Sequence, residues 1–159
     1  MLKHISASPV RLERVVYVVA KTDSHSASKA ANNHEELLQN VPHKFYFVPR
    51  AREVGQSYWT AAISTVYALV YSLSIVPRES PGVLLVNGPG TCVPLAISAF
   101  LFNVMLVTKC RIIFVESVAR VKSLSLSGKV VYPFADRFLV QWPLLSDRYR
   151  LCEYHGRLI

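Results

Sequence analysis

Short apolar runs alternate with longer mixed segments along this chain. The short runs are rich in β-branched and aromatic residues, and each predicts a buried strand; they lie at 15–20, 45–48, 83–86, 111–115 and 137–141. The longer segments predict helices, at 26–38, 55–76, 91–107, 121–134 and 144–150, and the tail predicts one last strand. This alternation predicts an α/β fold with a mostly parallel, doubly wound, Rossmann-like sheet.

The 159 residues contain no internal repeat and no linker rich in Gly, Ser or Pro, so we expect a single domain over 1–159. The segment 55–76 carries no charge and is flanked by Arg50, Arg52 and Arg78. Three interpretations stay open for it: a membrane span, a helix lying on the membrane surface, or a core helix packed on the sheet. The basic flanks favour contact with anionic headgroups.

Apolar residues make up 52% of the chain and charged residues 18%, with a formal net charge of +8. Such a surface predicts an anionic partner: a phospholipid, a diphosphate-bearing substrate or a nucleic acid. No basic stripe interleaves with aromatic residues, which argues against nucleic acid. Cys92, Cys110 and Cys152 lack zinc-ligand spacing and are expected to be reduced, buried thiols. The sequence predicts neither a metal nor another cofactor.

The segment after the strand 83–86 is the first candidate site. Asn87-Gly88-Pro89-Gly90 forms a tight turn, and a helix pattern begins at Thr91. A strand, a glycine turn and a helix start can present backbone N–H groups to an anion, at the sheet edge where ligands bind in open α/β folds. The alternative is a connection in which the glycines only relieve backbone crowding.

A second group of polar residues follows the strand 111–115. Glu116 comes directly after it and is a candidate to accept a proton or to orient a sugar hydroxyl. Arg120 and Lys122, followed by several serines, suit a phosphate. The alternative for Glu116 is a carboxylate that caps the next element or pairs with Arg120, and the alternative for Arg120 and Lys122 is a solvated helix start. Gln141-Trp142-Pro143 ends the strand 137–141 at the same edge.

Several segments in order closely resemble one family. They are Val48-Pro49-Arg50-x-Arg52-Glu53-Val54, residues 87–94, residues 115–129, residues 141–143 and Gly156-Arg157-Leu158-Ile159. The family is the membrane-anchored subunit of the dolichol-pathway UDP-N-acetylglucosamine transferase, and the resemblance covers nearly the whole chain from about residue 12. It implies the N-terminal half of a split GT-B glycosyltransferase, similar to the bacterial peptidoglycan transferase.

The resemblance also implies a function. The assembled enzyme adds the second N-acetylglucosamine to N-acetylglucosaminyl-diphosphodolichol on the cytosolic face of the endoplasmic reticulum. A separate cytosolic subunit binds the UDP-sugar, so we expect activity only in the heterodimer. The anchored subunit recruits that partner and forms the acceptor side of the cleft. The acceptor would meet Asn87, Gly88, Gly90, Thr91 and Arg120, with Glu116 as the candidate base.

The resemblance further implies that the tail Gly156-Arg157-Leu158-Ile159 docks on the catalytic subunit. Family members begin with a spanning helix and a first strand that ends in a Gly-Gly-His loop. Neither is found in these residues, so we expect a truncated gene model or isoform. The sheet would lack its first, central strand, which would leave a gap beside the strands 15–20 and 83–86.

Overall fold

The structure, a computed structural model, describes residues 12–38, 40–49, 58–87 and 90–156. The chain divides into two compact units, residues 1–50 and 51–159. The earlier unit contains strand β1 (Val15–Ala20), helix α1 (Ser24–Leu37) and strand β2 (His43–Val48). The later unit contains α2 (Tyr58–Glu79), β3 (Val83–Asn87), α3 (Cys92–Val104), β4 (Arg111–Val115), α4 (Leu126–Val131), β5 (Arg137–Val140), α5 (Pro143–Arg148) and β6 (Cys152–Tyr154).

In the earlier unit, β1 and β2 pair in parallel from Val15 opposite His43 to Ala20 opposite Val48. Helix α1 begins where Asp23 accepts hydrogen bonds from the Ser26 amide at 3.0 Å and the Ser26 hydroxyl at 2.8 Å. This cap satisfies one of the free N–H groups of the first turn. The parallel pair with its crossover helix is a complete βαβ unit.

In the later unit, four strands form one parallel sheet in the order β3-β4-β5-β6. Helices α2, α3 and α4 form a layer, because α2 packs against α3 and α3 against α4. Consecutive parallel strands in this order place their carboxyl ends at one edge of the sheet. That edge carries the residues that the sequence marks as candidates.

The core of the later unit lies between the sheet and α3. Phe114 of β4 and Phe138 of β5 stack with ring centroids 4.7 Å apart and are fully buried. On the helix side, Ala96 and Ala99 are also fully buried. Their small side chains let α3 approach the sheet closely.

The α/β, Rossmann-like architecture is confirmed, and the predicted bounds of β4 agree with those observed. Within the described residues no strand ladder joins the two sheets. The organisation as one domain stays a prediction. No helix among the described segments is long and apolar enough to cross a bilayer.

Two predicted helices are clearly longer than the observed ones, and the first of them, expected over 91–107, ends at Val104. The helix expected over 121–134 begins only at Leu126 and ends at Val131. Residues 117–123, which we call the basic loop, form an irregular excursion instead. Ser125 caps the short helix by accepting a hydrogen bond from the Gly128 amide at 2.9 Å. A serine at this position favours a helix start over a helix interior, and it shortens the element.

Candidate functional site

The candidate site lies at the carboxyl ends of β3, β4 and β5. Asn87 ends β3, Glu116 follows β4, and Trp142 follows β5. The Glu116 amide donates to the carbonyl of Leu139 at 2.9 Å, which extends the pairing of the two strands to their ends. The indole Nε1 of Trp142 donates to the carbonyl of Val118 at 2.7 Å. The structure therefore brings the sequences after β4 and β5 together, as predicted.

The Glu116 carboxylate is completely buried and fully engaged within the chain. One oxygen accepts from the Ser117 amide at 2.9 Å. The other accepts from the Ser125 amide at 2.8 Å and from the Ser125 hydroxyl at 3.0 Å. Hydrogen bonds of this kind offset the cost of removing a carboxyl group from water. Glu116 thus ties together the two ends of the basic loop.

Gly128 makes this arrangement possible. A Cβ atom added to it would lie 2.5 Å from a carboxylate oxygen of Glu116 and 3.0 Å from the Ser125 hydroxyl. It would also lie 3.2 Å from the Phe138 ring. Glycine is therefore needed at this position for close approach.

The basic loop surrounds an open cavity of about 300 Å³, lined by Ala119, Arg120, Val121, Lys122 and Ser123. Arg120 and Lys122 are both exposed to solvent there. The Arg148 guanidinium donates to the Lys122 carbonyl at 2.9 Å from outside the loop. The loop is thus held at both ends by Glu116 and along its length by Trp142 and Arg148.

The described residues on either side of the turn after β3 lie at the same edge of the sheet. Gly90 is close to α4, since a Cβ atom added to it would lie 4.0 Å from the Ser127 hydroxyl. Thr91 is half-buried, and its side chain makes no capping hydrogen bond to α3. Asn87 is exposed at the strand end. Gly88, the other predicted acceptor contact, lies outside the described residues.

The cysteines offer no ready nucleophile. Burial raises the pKa of Cys92 to about 11, although a hydrogen bond with the Asn87 backbone opposes the shift. Burial also raises the pKa of Cys152 to about 11, and the nearby charge of Glu116 acts in the same direction. These thiols are protonated at neutral pH, and a thiol reacts as its thiolate. In the parts of the chain that the structure describes, no three His, Cys, Asp or Glu side chains converge as metal ligands.

Chemically, the arrangement suits the binding of an anion better than proton transfer. Two exposed cations line an open cavity that a polar ligand can enter. Glu116 reaches neither solvent nor that cavity, because it is fully buried and its oxygens accept hydrogen bonds from three donors of the chain. A general base must come within hydrogen-bond reach of the proton that it removes. The role of Glu116 as base stays a prediction, and this geometry favours a positioning role.

Sequence reasoning missed the supports of the loop. It named Trp142 only as part of a strand-end corner and did not single out Ser125 or Arg148 as its supports. A serine three residues before a glycine, directly ahead of an apolar helix pattern, is the signal that identifies the Ser125 cap. The predicted docking tail begins at Gly156, whose φ of +85° suits glycine. Arg157, Leu158 and Ile159 lie outside the described residues.

Comparison with known proteins gives consistent matches. A family model described as "Oligosaccharide biosynthesis protein Alg14 like" matches residues 1–158. The UDP-N-acetylglucosamine transferase subunit ALG14 of Rattus norvegicus is 38% identical over 149 residues, which are 90% of this chain and 69% of the rat protein. The proteins of the same name from Yarrowia lipolytica and Schizosaccharomyces pombe are 49% and 46% identical, over 70% and 88% of this chain. The alignment covers 52% of the former protein and 67% of the latter. This chain belongs to the Alg14 family.

Proposed function

We propose that this chain is the acceptor-side subunit of the transferase that adds the second N-acetylglucosamine to N-acetylglucosaminyl-diphosphodolichol. Its relatives are named as UDP-N-acetylglucosamine transferase subunits, which supports a glycosyltransferase role. The observation that carries the finer proposal is the basic loop, which Glu116 and Trp142 hold at the strand ends and which carries two exposed cations beside a cavity. On this proposal the enzyme works at the cytosolic face of the endoplasmic reticulum membrane.

The chemistry divides between two polypeptides. The free sugar hydroxyl of the acceptor attacks the anomeric carbon of UDP-N-acetylglucosamine, so a new glycosidic bond forms and the bond to UDP breaks. The hydroxyl proton passes to a base, and the UDP that leaves takes the bonding electrons. We assign the acceptor diphosphate to Arg120 and Lys122, because two cations in an open cavity suit its charge. The donor and the UDP that leaves belong to the cytosolic partner subunit.

Two features of this proposal come from the resemblance. Recruitment of the partner is assigned to Gly156, Arg157, Leu158 and Ile159, of which the structure describes only the first. The acceptor contacts Asn87, Gly88, Gly90 and Thr91 are carried over in the same way. The described members of that set lie around the turn and the start of α3, the type of backbone geometry that suits an anionic group.

The test is reconstitution with the donor-binding subunit. The two chains are co-expressed, supplied with UDP-N-acetylglucosamine and a short-chain N-acetylglucosaminyl-diphospholipid, and the product is identified by mass spectrometry. We expect a lipid that carries two N-acetylglucosamine residues. A complex that forms but yields no such product would contradict the proposal, provided that a chain extended at its N-terminus with a family member's upstream segment is also inactive.

A second candidate is a scaffold that recruits the catalytic subunit to the membrane without touching the acceptor. The complete burial of Glu116 on its own chain favours it. On this alternative Arg120→Ala leaves activity intact, whereas deletion of 157–159 abolishes partner binding.

A further inference from the structure

The middle of the basic loop carries backbone amides that the chain itself does not use. Where the loop begins, the Ser117 amide donates to the Glu116 carboxylate at 2.9 Å. By contrast, three successive amides, at Val121, Lys122 and Ser123, find no acceptor among the described residues. All three residues line the cavity of the basic loop. Successive backbone N–H groups in a turn can bind an anion, so the loop offers more than its two charged side chains.

The Ser123 hydroxyl is available at the same place. The neighbouring serines use their hydroxyls within the chain: that of Ser117 accepts from the Ala119 amide at 3.3 Å, and that of Ser125 donates to Glu116 at 3.0 Å. The Ser123 hydroxyl has no hydrogen-bond partner within the part of the chain that the structure describes, and the residue is half-buried at the cavity. It therefore adds a neutral donor for the oxygen of an anion.

The charges around the loop suit the same ligand. No acidic residue occurs between Ser117 and Ala135, and the Glu116 carboxylate is completely buried. The Arg148 guanidinium donates to the Lys122 carbonyl at 2.9 Å, so a positive charge covers a carbonyl oxygen that would otherwise repel an anion. The loop thus combines N–H and O–H donors with positive charge and has no exposed carboxylate of its own.

From these observations we propose that the Ser123 hydroxyl and the three free amides bind one phosphate group of the acceptor diphosphate directly, while Arg120 and Lys122 supply the charge. This inference rests on the proposed function and adds the donors that recognise the phosphate oxygens. Exposed cations attract any anion, whereas an array of fixed N–H and O–H donors fits the oxygens of a phosphate group. Glu116 and Trp142 already hold the loop, so less conformational freedom is lost when the ligand binds.

The proposal has a consequence for inhibition of the enzyme. Inorganic pyrophosphate contains the diphosphate group that these donors recognise, and it lacks the lipid and the sugar, which the proposed contacts do not touch. We therefore expect inorganic pyrophosphate to bind the basic loop by itself. In the reconstituted complex it should inhibit competitively against the lipid acceptor.

The experiment is a titration of the isotope-labelled chain with inorganic pyrophosphate, followed by the amide chemical shifts in NMR spectra. We expect the amides of Val121, Lys122 and Ser123 to shift and to saturate together. Ser123→Ala should weaken binding by about 10-fold, the factor that corresponds to losing one hydrogen bond to a charged group. The matched control is Ser146→Ala, which should leave binding unchanged, because Ser146 is also half-buried but its hydroxyl donates to the Pro143 carbonyl at 2.7 Å.

Added salt separates the neutral donors from the exposed charges. Potassium chloride screens exposed cations, so the loss of pyrophosphate affinity caused by Arg120→Ala should shrink as the salt concentration rises. The ratio of the wild-type affinity to that of Ser123→Ala should stay constant, because the hydroxyl is neutral and contacts the ion directly. Circular dichroism establishes that each variant is folded, and the titration of the wild type needs no variant at all.

Two results would overturn the inference. One is a wild-type chain in which pyrophosphate does not move the amides of residues 121–123. The other is equal pyrophosphate affinity in the wild type and the folded Ser123→Ala variant. Failure of the proposed function has a different signature: pyrophosphate binds the loop as described, but the complex makes no product or the inhibition is not competitive against the acceptor. That result would support the phosphate site and contradict its assignment to the lipid acceptor.

Discussion

Replacing Gly128 by Ala directly disturbs the hydrogen bonds by which Glu116 holds the basic loop. The new Cβ would lie 2.5 Å from the Glu116 carboxylate, 3.0 Å from the Ser125 hydroxyl and 3.2 Å from the Phe138 ring. Ordinary carbon–oxygen contacts begin about 0.9 Å further out than the first of these, so an atom must move. The carboxylate is fully buried and accepts three hydrogen bonds, so any movement away from the new methyl group disturbs them.

The expected loss of stability follows from the interactions that the methyl group disturbs. Overpacking of a filled core costs about 1–3 kcal/mol. Complete loss of a hydrogen bond to a charged group costs about 1.5–3 kcal/mol, and weakening it costs less. Alanine regains about 1 kcal/mol of helix propensity over glycine. We therefore expect Gly128→Ala to lower the free energy of unfolding by about 2–4 kcal/mol.

Urea unfolding of the purified chain, followed by circular dichroism, measures this loss. The matched control is Gly82→Ala, because a Cβ at Gly82 meets no atom within 4 Å. We expect that variant to stay within about 0.5 kcal/mol of the wild type, as surface substitutions usually do. If Gly128→Ala and Gly82→Ala unfold at the same urea concentration as the wild type, the close approach of Gly128 to Glu116 is refuted.

Three other substitutions test hydrogen bonds of the later unit. Glu116→Gln should lower the free energy of unfolding by about 1.5–3 kcal/mol, because either orientation of the amide turns an NH₂ group towards backbone N–H donors; equal urea midpoints would contradict this. Trp142→Phe removes the bond to the Val118 carbonyl but keeps the ring, so we expect a loss of about 1 kcal/mol, and in the complex a higher KM for the acceptor with an unchanged KM for the donor. Hydrogen bonds from Arg137 and then from His155 lower the pKa of Glu153 to about 2. Ionised Glu153 therefore stabilises the folded state above its unfolded pKa of about 4.5, and this stabilisation is lost as the pH falls towards 2. Glu153→Gln should remove that part of the acid dependence and, since the pair is exposed, change stability by less than about 1 kcal/mol at neutral pH.

The sequence predicted the elements that depend on local pattern. The run Arg111–Val115 is a strand because β-branched and aromatic residues fill it, and Glu116 falls at the sheet edge because it follows directly. The strand-end corner at Trp142 is placed correctly for the same reason. In each case the residues that decide the structure are neighbours in the chain.

The hydrogen bonds that hold the basic loop could not be predicted, because they join positions that are distant in the sequence. Trp142 meets Val118 across 24 residues, and Arg148 meets Lys122 across 26 residues. Apolar periodicity over 121–134 indicates a helix. In the structure the Ser125 amide donates to the buried Glu116 carboxylate, and this hydrogen bond competes with a helical path before Leu126. The helix predicted over 91–107 ends at Val104, because the uncharged run contains no local signal that marks this end.

The central claim is that the basic loop receives the diphosphate of the lipid acceptor. Steady-state kinetics of the reconstituted heterodimer with Arg120→Ala test it most directly, with KM measured separately for each substrate. Losing one charge-assisted contact should raise KM for the acceptor by about 10- to 100-fold, while KM for UDP-N-acetylglucosamine changes less than about 2-fold. An unchanged KM for the acceptor, or an equal rise for both substrates, would contradict the account.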